Sequence, residues 1–146
     1  MGQKTRAEAL NMKHMLDVPF VSQKPWYCSE ASASMVLQYY GYNVSQDYVH
    51  DQGYDRFENM LPFISRYVKS HYDSLSLEDL KKEIDKGKPV MIRILIDGYL
   101  HTVVVVGYDK NYIYIHDPAV GEYLQTNPTG LIKVWEPTGF RAIVQD

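Results

Sequence analysis

The stretch Phe20-Val-Ser-Gln-Lys-Pro-Trp-Tyr-Cys-Ser-Glu-Ala-Ser-Ala-Ser-Met-Val-Leu-Gln-Tyr-Tyr-Gly41 carries the only cysteine of the chain, Cys28, at the point where a helical pattern begins. Upstream, a short apolar run from Val18 to Val21 is followed by Gln23 and the chain-breaking pair Lys24-Pro25. Downstream, Ala31, Met35, Val36 and Tyr39 recur at helical spacing, and Gly41 stands where a left-handed terminator belongs. The expected helix runs from about Cys28 to Tyr40, with small residues from Ala31 to Ser34 that allow close packing against another backbone. A cysteine at such an N-terminus meets unpaired backbone N–H groups and the positive end of the helix dipole, which both favour thiolate over thiol. Alone, a single cysteine is more often a buried small hydrophobe. With histidine and aspartate elsewhere in the chain it becomes a candidate nucleophile, so the decision rests on what surrounds it.

Length and charge narrow the choices. A chain of 146 residues suits one domain with a single sizeable core, and 45% hydrophobic content argues against global disorder. The net charge of −3 comes without any long run of like charges, so a nucleic-acid partner is not expected. No apolar run approaches the roughly 18 residues of a membrane span. Thirteen tyrosines against four phenylalanines suit a groove for amphipathic ligands such as peptides, and suit an ordinary half-exposed core as well.

The N-terminal residues 1–15 read as a peripheral segment, with one turn of helix over Ala7 to Leu10, and residues 16–146 as one domain. Leu16 to Ser22 reads as a short strand or extended lead-in. Ser45 offers an N-cap for a short helix over Gln46 to Asp51, ended by Gly53. Phe57 to His71 carries a helical stripe of Leu61, Ile64 and Val68, with Pro62 tolerable only near its start. A capping box at Ser76-Leu-Glu-Asp79 opens a helix to Lys86, and Gly87 closes it. The period then changes. Pro89 to Ile96 is an apolar run of strand length broken only by Arg93, and Asp97-Gly98 is a hairpin turn signal. His101 to Val106, with four consecutive valines, reads as a mid-sheet strand covered on both faces. Tyr112 to His116, Glu122 to Gln125 and Arg141 to Val144 complete the strands, with Pro128 to Trp135 a short helix or loop and Trp135 a core residue. Helices first and an antiparallel sheet afterwards make an α+β arrangement.

The two central strands provide the partners a nucleophilic cysteine needs, a base and a group to orient it. If their turn is centred on Asp109, Val105 faces Ile113, Val103 faces Ile115 and His101 faces Asp117. Opposed residues share a sheet face with Cβ atoms about 4.5–5.5 Å apart, close enough for a carboxylate to accept from an imidazole N–H. His116 falls on the opposite face and reads as a surface residue. The pairs His50-Asp51 and His116-Asp117 lack a third ligand at metal spacing, so neither zinc nor any other cofactor is expected. Trp26 is expected either to wall a cleft beside Cys28 or to pack.

Taken together, these segments resemble the papain superfamily of cysteine peptidases, and more closely the bacteriocin-processing peptidases, family 39, with their free-standing relatives. The matching residues are Asp17 to Gln23, Tyr27-Cys28 leading into Ala31-Ser32 and Met35 to Gly41, Gly87 to Val90, His101 to Tyr108, and Ile115 to Pro118. The resemblance implies a papain-like fold whose nucleophile helix packs on a C-terminal antiparallel sheet. It implies Cys28 as nucleophile, His101 as base, Asp117 as its orienter, and Gln23 as an oxyanion-hole donor beside the Cys28 N–H. Trp26 and Tyr27 would contact a peptide or protein substrate. The implied activity is peptide-bond hydrolysis through a thiol acyl-enzyme. The alternatives are acyl or peptidyl transfer on the same triad, or a silent peptide-binding module. One departure stands beside the nucleophile, where relatives usually have Gly-Pro and this chain has Ser29-Glu30. Met1 to Met12 lacks the apolar middle of a secretory signal, so the expected setting is cytoplasmic, or bacterial secreted or cell-surface if a signal has been removed.

Overall fold

The computed structural model describes residues 2–146. Its elements in chain order are α1 (Arg6–Leu10), α2 (Cys28–Tyr39), α3 (Gln46–Asp51), α4 (Phe57–Ile64), β1 (Ser70–Ser74), α5 (Leu77–Asp85), β2 (Val90–Ile96), β3 (Tyr99–Tyr108), β4 (Ile113–Asp117), β5 (Gly121–Thr126), α6 (Pro128–Trp135) and β6 (Arg141–Gln145). The strands form one antiparallel sheet in the order β1-β6-β2-β3-β4-β5. The fold is α+β, as the change of period implies.

Alternate residues of the central strands feed two apolar layers, the arrangement a period of two imposes on a sheet covered on both sides. Met91, Val104, Val106 and Ile143 pack with α2, α3 and α4, burying Met35, Val36, Leu37, Val49, Phe57, Met60 and Phe63. Val90, Ile92, Val103, Val105 and Val144 pack on the other side with α5 and α6, against Leu80, Ile84, Leu131 and Trp135. The four valines of β3 are therefore sealed from both sides, which removes any place for polar alternation.

Local signals set several boundaries. Ser45 accepts from the Tyr48 N–H to start α3. Ser76 and Asp79 exchange both bonds of a capping box at α5. The β2–β3 hairpin turns on Asp97 and Gly98 alone, both at positive φ (50° and 80°), the geometry that a primed two-residue turn demands. Ahead of α2, Leu16 to Ser22 forms no strand. The N-terminal segment lies along the sheet edge, with Arg6 reaching the Glu122 carboxylate (2.9 Å) and the Val18 carbonyl (2.8 Å).

Three local expectations need correction. The helix expected over Phe57 to His71 stops at Ile64, because Pro62 removes an N–H in its second turn and the chain after Val68 is recruited as edge strand β1 against β6. The partner of β1 lies some 70 residues away, and its own sequence, Ser-His-Tyr-Asp-Ser, has no apolar alternation to betray it. His116 is not a surface residue. It is fully buried, donating from Nε2 to the Val18 carbonyl (2.8 Å) and accepting at Nδ1 from the Tyr123 N–H (3.1 Å). The third correction concerns the β3–β4 register and bears on the site.

Candidate active site

The β3–β4 turn is wider than a centre on Asp109 allows, and the ladder begins with Tyr108 opposite Ile113 and Gly107 opposite Tyr114. Carried on unbroken, that register opposes Asp117 to Val104, whose side chain leaves the sheet on the face away from His101. A β-bulge between Val105 and Gly107 shifts the pairing by one, to Val105–Ile115 and Val104–His116. Continued, the shifted register opposes Asp117 to Val103 and leaves His101 as its diagonal neighbour on the same face. The pair is made: His101 Nε2 lies 2.7 Å from Asp117 Oδ1, and both side chains are largely buried. Asp117 Oδ1 also accepts from the Ala119 N–H (2.9 Å), which fixes the carboxylate at the turn into β5.

Cys28 is the first residue of α2 and is half-buried. The N-terminus of α2 abuts the start of β3, which brings the thiol to His101. Burial pushes the thiol pKa up, but the His101 hydrogen bond and charge, helped by Thr102 and Ser29, outweigh it and leave the thiol below its ordinary value. Burial pushes His101 down, yet its bonds to Asp117 and Cys28 and their charges raise it to about 9. The two shifts favour the same state, a thiolate beside an imidazolium. With Nε2 committed to Asp117, Nδ1 is the ring nitrogen left for sulfur.

Around this trio opens a cleft of about 600 Å³. Gln23 lines it beside Cys28; its backbone N–H is held by the Pro118 carbonyl (2.9 Å), and its side-chain Oε1 has no hydrogen-bond partner among the described residues. Trp26 stands at the rim, 84% exposed and at positive φ (70°), so it walls the cleft rather than filling the core. Tyr27 is outside the lining; its ring stacks on His50 with centroids 4.4 Å apart. Tyr99, Leu100 and Val120 add exposed apolar surface to the same rim. The described residues hold no cluster of His, Cys, Asp or Glu arranged to take a metal ion, and no helix long and apolar enough to cross a membrane.

Two sets of contacts were not legible in the sequence, although Glu30 and Arg93 themselves stood out there. Glu30, in the first turn of α2, is buried and its Oε2 accepts from His50 Nδ1 at 2.8 Å, so the carboxylate is engaged by His50. Burial nonetheless raises its pKa despite that bond. The second is a polar chain beneath the cleft, in which Arg93 joins Glu58 to Thr102 and Thr102 joins Ser29. Arg93 as the single charge within an apolar strand was the available signal, since a buried guanidinium needs partners.

A family model described as the Peptidase_C39-like family matches residues 15–143, nearly the whole chain. The chain belongs to that family. Solved structures agree in fold. A candidate C39-like peptidase from Bacillus anthracis superposes with a TM-score of 0.78 at 21% identity, covering 89% of this chain and 94% of that one. A double-glycine-motif protease of an AMS/PCAT transporter, crystallised with its leader peptide, gives 0.72 at 25% identity, covering 90% and 94%. The peptidase domain of Streptococcus ComA, a bi-functional ABC transporter, gives 0.68 at 17% identity, covering 91% and 98%. Among curated sequences, the uncharacterised protein YvpB of Bacillus subtilis is 39% identical over 44 residues, a match spanning 30% of this chain and only 18% of YvpB.

Proposed function

We propose that this C39-like protein is a cysteine peptidase that cleaves a peptide or protein substrate through a thiol acyl-enzyme. The observation that carries the reading is the continuous Asp117–His101–Cys28 arrangement, with the thiol pKa lowered and the imidazole held at about 9 in an open cleft. The Cys28 thiolate attacks the scissile carbonyl carbon, and the oxyanion that forms is met by the Cys28 N–H and the Gln23 side-chain amide. His101, already protonated, gives its proton to the leaving amine, and the C–N bond breaks to leave a thioester on Cys28. His101, now neutral, takes a proton from water as the water attacks the thioester; the acid product leaves and the thiolate–imidazolium pair is restored. Asp117 holds the ring and its charge throughout. The exposed apolar rim of Trp26, Tyr99, Leu100 and Val120 supports an extended amphipathic substrate, and the neighbouring double-glycine protease is crystallised with a leader peptide.

A silent peptide-binding module would follow if Glu30 suppressed the thiolate. The His50 contact of that carboxylate argues against it. The deciding experiment is intact-mass analysis after incubation with a peptidyl vinyl sulfone. One adduct on Cys28, lost when the protein is unfolded first, is expected; no adduct with the folded protein would overturn the enzyme reading.

A further inference from the structure

Ser29 directly follows the nucleophile in α2, and its hydroxyl lies between the sulfur and a buried polar chain. It is buried, as are Thr102 and Arg93 beneath it. Arg93 grips the Glu58 carboxylate with Nε and one terminal nitrogen, both at 2.9 Å, and its other terminal nitrogen donates to Thr102 Oγ1 at 3.1 Å. Thr102 Oγ1 lies 2.8 Å from Ser29 Oγ, and Ser29 Oγ lies 4.0 Å from Cys28 Sγ.

The direction of this chain follows from counting donors. A guanidinium only donates, so Thr102 Oγ1 must accept from Arg93. The Thr102 hydroxyl hydrogen then needs an acceptor, and Ser29 Oγ is the partner it has among the described residues. If Ser29 donated to Thr102 instead, the Thr102 hydrogen would be buried and unpaired, which native structures avoid. Thr102 therefore donates to Ser29, and the Ser29 hydrogen is free for its remaining partner, the sulfur.

We propose that Ser29 is a catalytic residue whose hydroxyl donates a hydrogen bond to the Cys28 thiolate, with Thr102 and Arg93 as positioning residues that fix the direction of the chain. This rests on the reading of Cys28 as nucleophile. Ser29 keeps its proton throughout: the bond stabilises sulfur as thiolate before attack, weakens when the S–C bond forms, and is remade as the thioester breaks and sulfur leaves. The Ser29 contact also counts among the influences that lower the thiol pKa.

The test is the pH dependence of iodoacetamide alkylation of the full chain, followed by intact mass, in wild type, Ser29→Ala, Thr102→Val and the double variant. Thermal melting is read alongside. The wild-type midpoint should lie below the free-thiol value of about 8.5. Ser29→Ala should raise it by about one pH unit, on the scale of one long hydrogen bond to a charged atom. Thr102→Val should raise it by less, and the double variant by no more than Ser29→Ala, because the last link is already cut. Should Ser29→Ala fail to fold, Ser29→Gly makes the same deletion of the hydroxyl. A depressed midpoint that ignores Ser29, or a double variant showing the sum of the single shifts, overturns the hydroxyl chain and leaves the nucleophile reading standing. An ordinary thiol midpoint in wild type overturns both.

Discussion

Replacing Asp117 with asparagine should uncouple the imidazolium from the fold. Oδ1 of Asp117 sits 2.7 Å from His101 Nε2, with the two side chains only 9% and 17% exposed, so solvent screens the contact little. Burial is the largest influence on His101 and acts to lower its pKa; the Asp117 hydrogen bond is the largest of those opposing it, and the result is about 9. A hydrogen bond to a charged group is worth about 1.5–3 kcal/mol, which at 1.36 kcal/mol per unit is about one to two pKa units. His101 in Asp117→Asn should therefore titrate at about 7 to 8. Because the folded-state pKa is raised, its stabilising effect is complete below the unfolded value of about 6.5 and vanishes as pH rises through about 9. The variant should thus lose stability relative to wild type at pH 7–8, while turnover at that pH falls by less than in Cys28→Ala or His101→Ala, because the base remains in place. The assay is the ¹H NMR titration of the His101 ring, assigned by its absence in His101→Gln. A midpoint remaining near 9 in Asp117→Asn would refute the role given to the carboxylate.

Gln23→Ala should lower kcat by about 10²-fold with little change in KM, the mark of a lost oxyanion donor; an effect confined to KM in steady-state kinetics would make it a substrate contact instead. His116, buried with both ring nitrogens bonded, has its pKa pushed down to about 4, so protonation of the unfolded chain near 6.5 is unmatched in the folded one. Stability should accordingly fall by about 3 kcal/mol between pH 6.5 and 4, and urea titrations of His116→Gln should show a shallower slope over that window. Gly107→Ala should cost about 1–3 kcal/mol in the same titrations, because a Cβ there would collide with Met15 Sδ and lie 2.6 Å from the His14 carbonyl oxygen, a backbone atom that a rotamer change cannot move aside. A near-neutral effect would mean that this contact does not set the bulge.

The sequence by itself determined what depends on neighbours in the chain. The start of α2 at Cys28, the caps at Ser45 and Ser76, the Asp97-Gly98 turn and the buried valines of β3 are local or short-period signals, and the structure carries each of them. The residue types proposed for the candidate site were legible in the same way, as a lone cysteine at a helix start and a histidine and aspartate flanking one hairpin. Only the tertiary structure decided how they meet. The extra residue that lets His101 and Asp117 share a face is a bulge held by the N-terminal segment against Gly107, and no periodicity within the hairpin encodes a contact supplied from nearly a hundred residues away. The same holds for β1, which exists because β6 lies beside it, and for His116, whose burial depends on Val18 and Tyr123. It holds equally for the chain from Glu58 through Arg93 and Thr102 to Ser29, whose members are scattered over four elements. Hydrogen bonds of that kind are geometric, and their directions follow only when every buried donor has been given an acceptor.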